Sequence, residues 1–228
     1  MVLAQTAIEF GCGGGFYGTT AAVTEDARSR AAPPLTTRER ERLSAAMERY
    51  AGGDAAAFGE LYEGLAPRLY GFLLRQTRSA ARADDVLQQT FLKMHAARGR
   101  FIAGADVVPW AFAIARRLVI DGARRGRREV LAEGTDEADP WAEVASVDAR
   151  ADELVEAQAV ADAIRRELAT LPEAQRVAFE LVKQEGLSVA EAAGVLGTTV
   201  AAVKLRAHRA YVSLRAALGY EKKEGGEA

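Results

Sequence analysis

LSVAEAAGVLGTTVAAVKLRAHRAYVSLRAAL, residues 187–218, holds two short helical patterns broken at Gly197. Ser188 and Glu191 form a capping box: the hydroxyl accepts from the third amide and the carboxylate reaches back, so a helix starts at Ser188. Gly197 ends it, because the turn calls for a residue that tolerates positive φ. Thr198 or Thr199 caps a second helix, whose Val203, Ala207, Ala210 and Leu214 fall on one inward stripe. Lys204, Arg206, His208 and Arg209 are left on the other faces, open to phosphates or base edges. Cap, turn and stripe agree on a helix-turn-helix that reads DNA, in preference to a plain helical hairpin with a solvated basic face.

Working outward, the 228 residues suffice for one large or two small domains. Ala, Leu, Arg and Glu abound, and no stretch alternates Val, Ile and Thr, so the fold expected is all-α. Cys12 is alone, which excludes an internal disulfide and a cysteine-based zinc site. Neither His95 nor His208 lies in a ligand cluster, so no metal and no cofactor is expected. The chain shows no bilayer-length apolar run and no signal-type start, and a cytoplasmic location is expected.

A net charge of −2 conceals a sharp division. Residues 98–128 carry eight arginines against Asp106 and Asp121, whereas residues 129–156 carry ten carboxylates against Arg150 alone. Basic surfaces are thus separated by an acidic segment, and the near-neutral total does not argue against a nucleic-acid partner.

The organisation expected is a disordered, glycine-rich tail over 1–35, a helical unit over 36–128, an acidic flexible linker over 129–150, a helical unit over 151–219 ending in the helix-turn-helix, and a polar tail over 220–228. In the first unit, a helix from Thr36 or Thr37 carries Leu43, Met47 and Tyr50, and Gly52-Gly53 ends it. Asp54 then caps a second, with a kink expected at Pro67. A third runs from Arg82 or Asp84 to Ala97, and a fourth from Val107 to Arg125 with Pro109 in its first turn. A helical turn is expected around Trp141 in the linker; in the second unit Pro172 opens a helix that Gly186 closes.

Four blocks now stand in a recognisable order: GDAAAFGELYEGLAPRLYGFLLR (53–75), ADDVLQQTFLKMH (83–95), VVPWAFAIARRLVIDGARRGRR (107–128) and TLPEAQRVAFELVKQEG (170–186), the last running into the helix-turn-helix. The chain resembles a sigma-70 family RNA polymerase sigma factor of the extracytoplasmic-function type, which keeps regions 2 and 4 joined by a linker. The resemblance spans about Leu43 to Leu218, apart from the linker. It implies that Asp84, Asp85, Gln88 and Gln89 dock on the clamp helices of the largest subunit of core RNA polymerase, and that the flap region is a further polymerase contact. Carboxylates and amides suit such a basic helical partner. Gln89 stands where many members carry an acidic residue.

The resemblance further implies that Arg100, Arg116, Arg117, Arg124 and Arg125 face the minus-ten promoter element, with guanidinium groups along the backbone. The preceding loop, Gly99 to Asp106, is expected to hold an extruded base, with Phe101 and Ile102 giving the wall and Arg100 or Asp106 the polar edges. Trp110 is read as core. At the minus-thirty-five element it implies Thr199, Ala201, Ala202, Lys204, Arg206 and Arg209, with Leu205 and Ala207 departing from the Ser and Leu common in the family. The expected function is promoter recognition and initiation with core polymerase; an autonomous helix-turn-helix regulator is the alternative, but no α/β receiver pattern accompanies it. No catalytic constellation is present, so an enzyme is not expected. An anti-sigma protein is a further partner the resemblance implies.

Overall fold

Local signals in the sequence set where each helix begins and ends. A computed structural model describes residues 34–133 and 163–219. The expectations for both tails, for most of the acidic linker with its turn at Trp141, and for the start of the second unit lie outside the described residues. Among the described residues every regular element is helical. None of these helices is long and apolar enough to cross a membrane.

Helix α1 (Thr37–Ala51) opens on a capping box in which Thr36 and Glu39 satisfy each other's amides, and it buries Leu43, Ala46, Met47 and Tyr50. Helix α2 (Ala57–Thr77) starts three residues after Asp54, whose carboxylate accepts from the Ala56 amide at 3.0 Å and so shapes the turn without standing at the cap. It runs through Pro67 as one element, because Leu65, Ala66, Leu69 and Phe72 around it are buried.

Helix α3 (Ala80–Ala97) begins before Arg82, since Ser79 supplies the cap by accepting from the Arg82 amide. A 3₁₀ turn (Arg98–Arg100) and a short loop lead to α4 (Val107–Glu133). That helix passes Arg125 and the glycine after it, Gly126, into the segment expected as linker. The first unit packs around α2, with Phe72 meeting Phe112 of α4 edge-on at 5.3 Å. Tyr50, Phe58, Tyr62 and Phe91 gather α1, α2 and α3 at the other end.

In the second unit, a helix over residues 163–170 (α5) precedes α6 (Glu173–Phe179), for which Pro172 is the cap residue. Helix α6 widens into a π-helical turn (Glu180–Gln184), the Glu185 amide donating to the Glu180 carbonyl at 2.9 Å. Gly186, at φ +72°, turns the chain into α7 (Val189–Leu196) and α8 (Val200–Ala217). Ile164, Leu168, Leu171, Phe179, Ala210 and Leu214 pack together between α5, α6 and α8. The larger core is continuous across both units: Val177, Leu181, Ala192, Val195 and Val203 belong to one apolar cluster with Leu43, Leu69 and Phe112. Helix α7 packs directly on α4.

Candidate nucleic-acid and polymerase interfaces

In the helix-turn-helix, the Ser188 amide donates to the Glu191 carboxylate at 2.7 Å and the Glu191 amide to the Ser188 hydroxyl at 3.2 Å. Gly197 takes φ +60°, and the Thr198 amide closes back on the Ala193 carbonyl at 3.1 Å. Of the two threonines, Thr199 caps α8, accepting from the Ala202 amide at 3.1 Å. Val203, Ala207, Ala210 and Leu214 are buried as their spacing requires. That fixes what faces outward: Thr199, Ala201, Lys204, His208 and Arg209 are exposed, while Ala202 and Arg206 are half-buried.

On α4, Val107, Val108, Ala111, Phe112, Ala115 and Leu118 are buried, which turns the arginines to the remaining faces. Arg117, Arg124 and Arg125 are exposed, as is Arg100 before the loop. Arg117 meets Asp121 one turn on, at 4.0 Å. Arg116 points the other way, with Nη2 3.8 Å from Glu173 of α6. Burial pulls its guanidinium below the ordinary arginine value, Glu173 and Glu180 oppose that pull, and neighbouring Arg206 adds to it. In the loop, Phe101 lies against Trp110 with centroids 5.4 Å apart, and Ile102 is 75% exposed. Trp110 is partly buried against the core.

Helix α3 turns Leu87, Phe91 and Met94 inward, leaving Asp84, Asp85, Gln88 and Gln89 exposed. Leu92, one turn further along this face, is 61% exposed.

The structure also joins the units through groups the sequence does not mark. Glu180 is 1% exposed and accepts from the Gln76 side-chain amide at 2.6 Å, with Arg75 Nε at 3.7 Å. Glu185 accepts from Arg75 and lies 3.8 Å from Arg68. Burial pushes both carboxyls above the ordinary glutamate value, and the arginines pull them back only in part. The available signal is charge within an apolar pattern: Arg68 sits among Leu65, Leu69 and Phe72, and Glu180 between Phe179 and Leu181.

The family description Sigma-70 region 2 matches residues 61–129, and Sigma-70, region 4 matches residues 161–214. The chain is 36% identical over 181 residues to the RNA polymerase sigma factor CarQ of Myxococcus xanthus, covering 76% of this chain and 95% of CarQ. It is 35% identical over 175 residues to the ECF RNA polymerase sigma factor SigF of Caulobacter vibrioides, covering 76% and 92%. In fold it is similar to the sigma factor RpoE solved in complex with the anti-sigma factor NepR from Bartonella quintana, with TM-score 0.58, 23% identity and 72% and 98% of the two chains covered. CnrH, solved in complex with the cytosolic domain of CnrY, gives TM-score 0.55, 24% identity and coverage of 79% and 99%.

A chain whose described elements are all helical, with a helix-turn-helix in one unit and an arginine-bearing helix in the other, is a DNA-binding protein of the transcription machinery. With both region descriptions matched in order and relatives above 30% identity along nearly their whole length, the chain belongs to the sigma-70 family, in its extracytoplasmic-function group. It is an RNA polymerase sigma factor, binding core polymerase and directing promoter recognition at initiation.

Proposed function

We propose a division of labour by unit, with boundaries near 36–128 and 151–219, an acidic tether over 129–150 and tails over 1–35 and 220–228. The first unit docks on the polymerase clamp helices through Asp84, Asp85, Gln88 and Gln89. It meets the minus-ten element through Arg100, Arg117, Arg124 and Arg125 and the loop before α4. The second unit meets the minus-thirty-five element through Thr199, Ala201, Ala202, Lys204, Arg206 and Arg209, with the polymerase flap region as its further contact. The chain acts in the cytoplasm by binding alone and leaves bond-making to the polymerase. An anti-sigma protein is a partner by extension from RpoE and CnrH, each solved with another protein bound.

The observation that carries this reading is the exposure of Arg117, Arg124 and Arg125 on one unit together with Thr199, Lys204 and Arg209 on the other. Arg116 joins them only once Glu173 moves away. The elements' names place them about 25 base pairs apart, or about 85 Å at about 3.4 Å per pair. A compact body of the described size is about 40 Å across, taking a radius of gyration of about 15 Å. The units therefore part to reach both elements, and the interface holding Arg116 opens. Run-off transcription by core polymerase, with and without the chain, tests the reading on a promoter selected from genomic fragments with that mixture. Stimulation is expected. DNA binding by the chain with no stimulation would favour the autonomous regulator.

A further inference from the structure

The loop before α4 has little to hold its shape from within. Beside the turn bonds from the Phe101 amide to the Arg98 carbonyl and from the Ala105 amide to the Ile102 carbonyl, and the packing of Phe101 on Trp110, its polar anchors from outside α4 come from α1. Arg40, Ser44 and Glu48 stand four residues apart and so line one face of that helix. Arg40 Nε donates to Asp106 at 2.6 Å, the Ser44 hydroxyl accepts from the Val107 amide at 3.1 Å, and the Glu48 carboxylate accepts from the Gly104 amide at 2.6 Å. Gly104 adopts φ +78°, so the last of these bonds pins the loop at its tightest bend. The other Asp106 oxygen accepts from the Val108 amide at 2.8 Å, which carries the restraint into the first turn of α4.

This stripe lies outside the face of α1 that builds the core. The core face is Leu43, Ala46, Met47 and Tyr50, whereas Glu48 is exposed and Ser44 half-buried. Two polar side chains reaching one six-residue loop, and a third reaching the residue that follows it, contribute to its shape far more than to the packing of the helix that bears them. Arg40 also bridges to the second unit, where its Nη2 donates to Glu191 of the helix-turn-helix at 2.6 Å while Glu191 uses its other oxygen for the capping box.

We propose that Arg40, Ser44 and Glu48 are positioning residues for promoter opening, holding the loop of residues 101–106 so that Arg100, Ile102 and the start of α4 are presented together to the DNA. The inference rests on the assignment of that loop to the minus-ten element. Order imposed before binding is order the DNA contacts need not supply, so loss of an anchor slows strand opening without weakening polymerase docking. When the units part, Glu191 leaves and the Arg40 guanidinium serves Asp106 alone.

The test uses the full chain with core polymerase on the selected promoter. It reads core affinity, the melting temperature of the chain, and strand opening by permanganate reactivity of unpaired thymines. Glu48→Ala and Ser44→Ala are each expected to slow opening about tenfold, the size of one lost hydrogen bond in a preorganised site, with core affinity unchanged and the melting temperature lowered by no more than about 2–4 °C. Glu48→Gln keeps an acceptor for the Gly104 amide and is expected to open at close to the original rate; a loss equal to that of Glu48→Ala would overturn the positioning role. Should Glu48→Ala lower the melting temperature by more than that, Ser44→Ala carries the same test by removing a single hydroxyl. The combined change Arg100→Ala and Ile102→Ala separates the two levels. If it leaves opening intact, the loop assignment fails. If it slows opening while Glu48→Ala and Ser44→Ala do not, the positioning proposal fails and the loop assignment stands.

Discussion

The guanidinium of Arg116 lies 3.8 Å from the Glu173 carboxylate with 14% of its side chain exposed, while Arg117, the next residue, is 86% exposed. Neighbours on a helix point about 100° apart, and here one step divides an arginine enclosed between the units from one free to meet phosphate. In polymerase holoenzyme on a promoter, Arg117→Ala is expected to lower the slope of log affinity against log salt by about 1, the loss of one counterion-releasing contact. Arg116→Ala is expected to do the same if, as proposed, promoter engagement separates the units. A slope unchanged by Arg116→Ala alone would mean that the units stay together on DNA.

The interface chemistry also predicts a pH dependence. Glu180 is buried beside Arg75, Arg176, Glu185 and Gln76, and burial outweighs the arginines to push its carboxyl above the ordinary glutamate value. A group raised on folding contributes stability that is full below its unfolded value and lost as pH rises through the folded one. Glu180→Gln removes the cost of burying that charge and keeps an oxygen for the Gln76 amide. The expected result is a melting temperature above the original chain at pH 8, with a difference of about 2–4 °C that shrinks towards pH 5. Calorimetry at the two pH values checks this, and a difference independent of pH would contradict it.

Glu185 is expected to behave oppositely. It meets both Arg75 and Arg68, and Arg68 is itself buried. Glu185→Ala therefore leaves a buried guanidinium without its partner, at a cost of about 3–5 kcal/mol in chemical denaturation. A cost below about 1 kcal/mol would show that water reaches Arg68 readily.

Two glycines of α2 should respond to alanine with opposite signs. At Gly64 an added Cβ would lie 2.4 Å from Leu43 Cδ2, and Leu43 is 1% exposed, so it has little room to withdraw. Gly64→Ala is expected to cost about 1–3 kcal/mol by overpacking. At Gly59 nothing lies within 4 Å of the added atom. Gly59→Ala is expected to gain about 0.5–1 kcal/mol from helix propensity. Urea midpoints with an unchanged m-value check both.

These contrasts mark the limit of what local sequence pattern encodes. Ser188, Glu191, Gly197 and Thr199 announce the helix-turn-helix because caps and turns are local, set by residues three or four apart. The inward stripes of α1, α3 and α8 follow for the same reason, since burial of one face is written into helical spacing. Ser79 does not stand out as a cap because the polar residues after it, Arg82, Asp84 and Asp85, obscure the start of α3. What stays hidden is contact between distant segments. Arg40 with Asp106 and Glu191, and Arg75 with Glu185, join residues 66 to 151 positions apart, and no local pattern encodes such pairs. The π-helical turn that carries Glu180 is equally silent, being a matter of packing. Arg116 shows the consequence at the site: spacing puts it on the basic helix, but only the second unit decides that it faces inward.

The face of α3 proposed to dock on the polymerase offers a prediction in which fold and binding separate cleanly. Asp84, Asp85, Gln88 and Gln89 are exposed on a face that continues one turn on to the exposed Leu92, while Leu87, Phe91 and Met94 hold the helix from behind. Substitution on the outer face therefore leaves the core intact. Asp85→Arg with Gln88→Ala places a like charge against a basic partner helix and removes an amide contact, and core-polymerase affinity is expected to fall about 10- to 100-fold, or about 1.4–2.8 kcal/mol. Leu92→Ala is expected to cost about tenfold, as truncation of an apolar anchor ringed by polar contacts does. Melting temperatures should stay within about 2 °C of the original, since surface changes rarely exceed about 0.5 kcal/mol. Titration of labelled chain into core polymerase measures both changes. If affinity holds while the fold is intact, the docking face lies elsewhere on the first unit, and the exposed Leu92 has no role in polymerase binding.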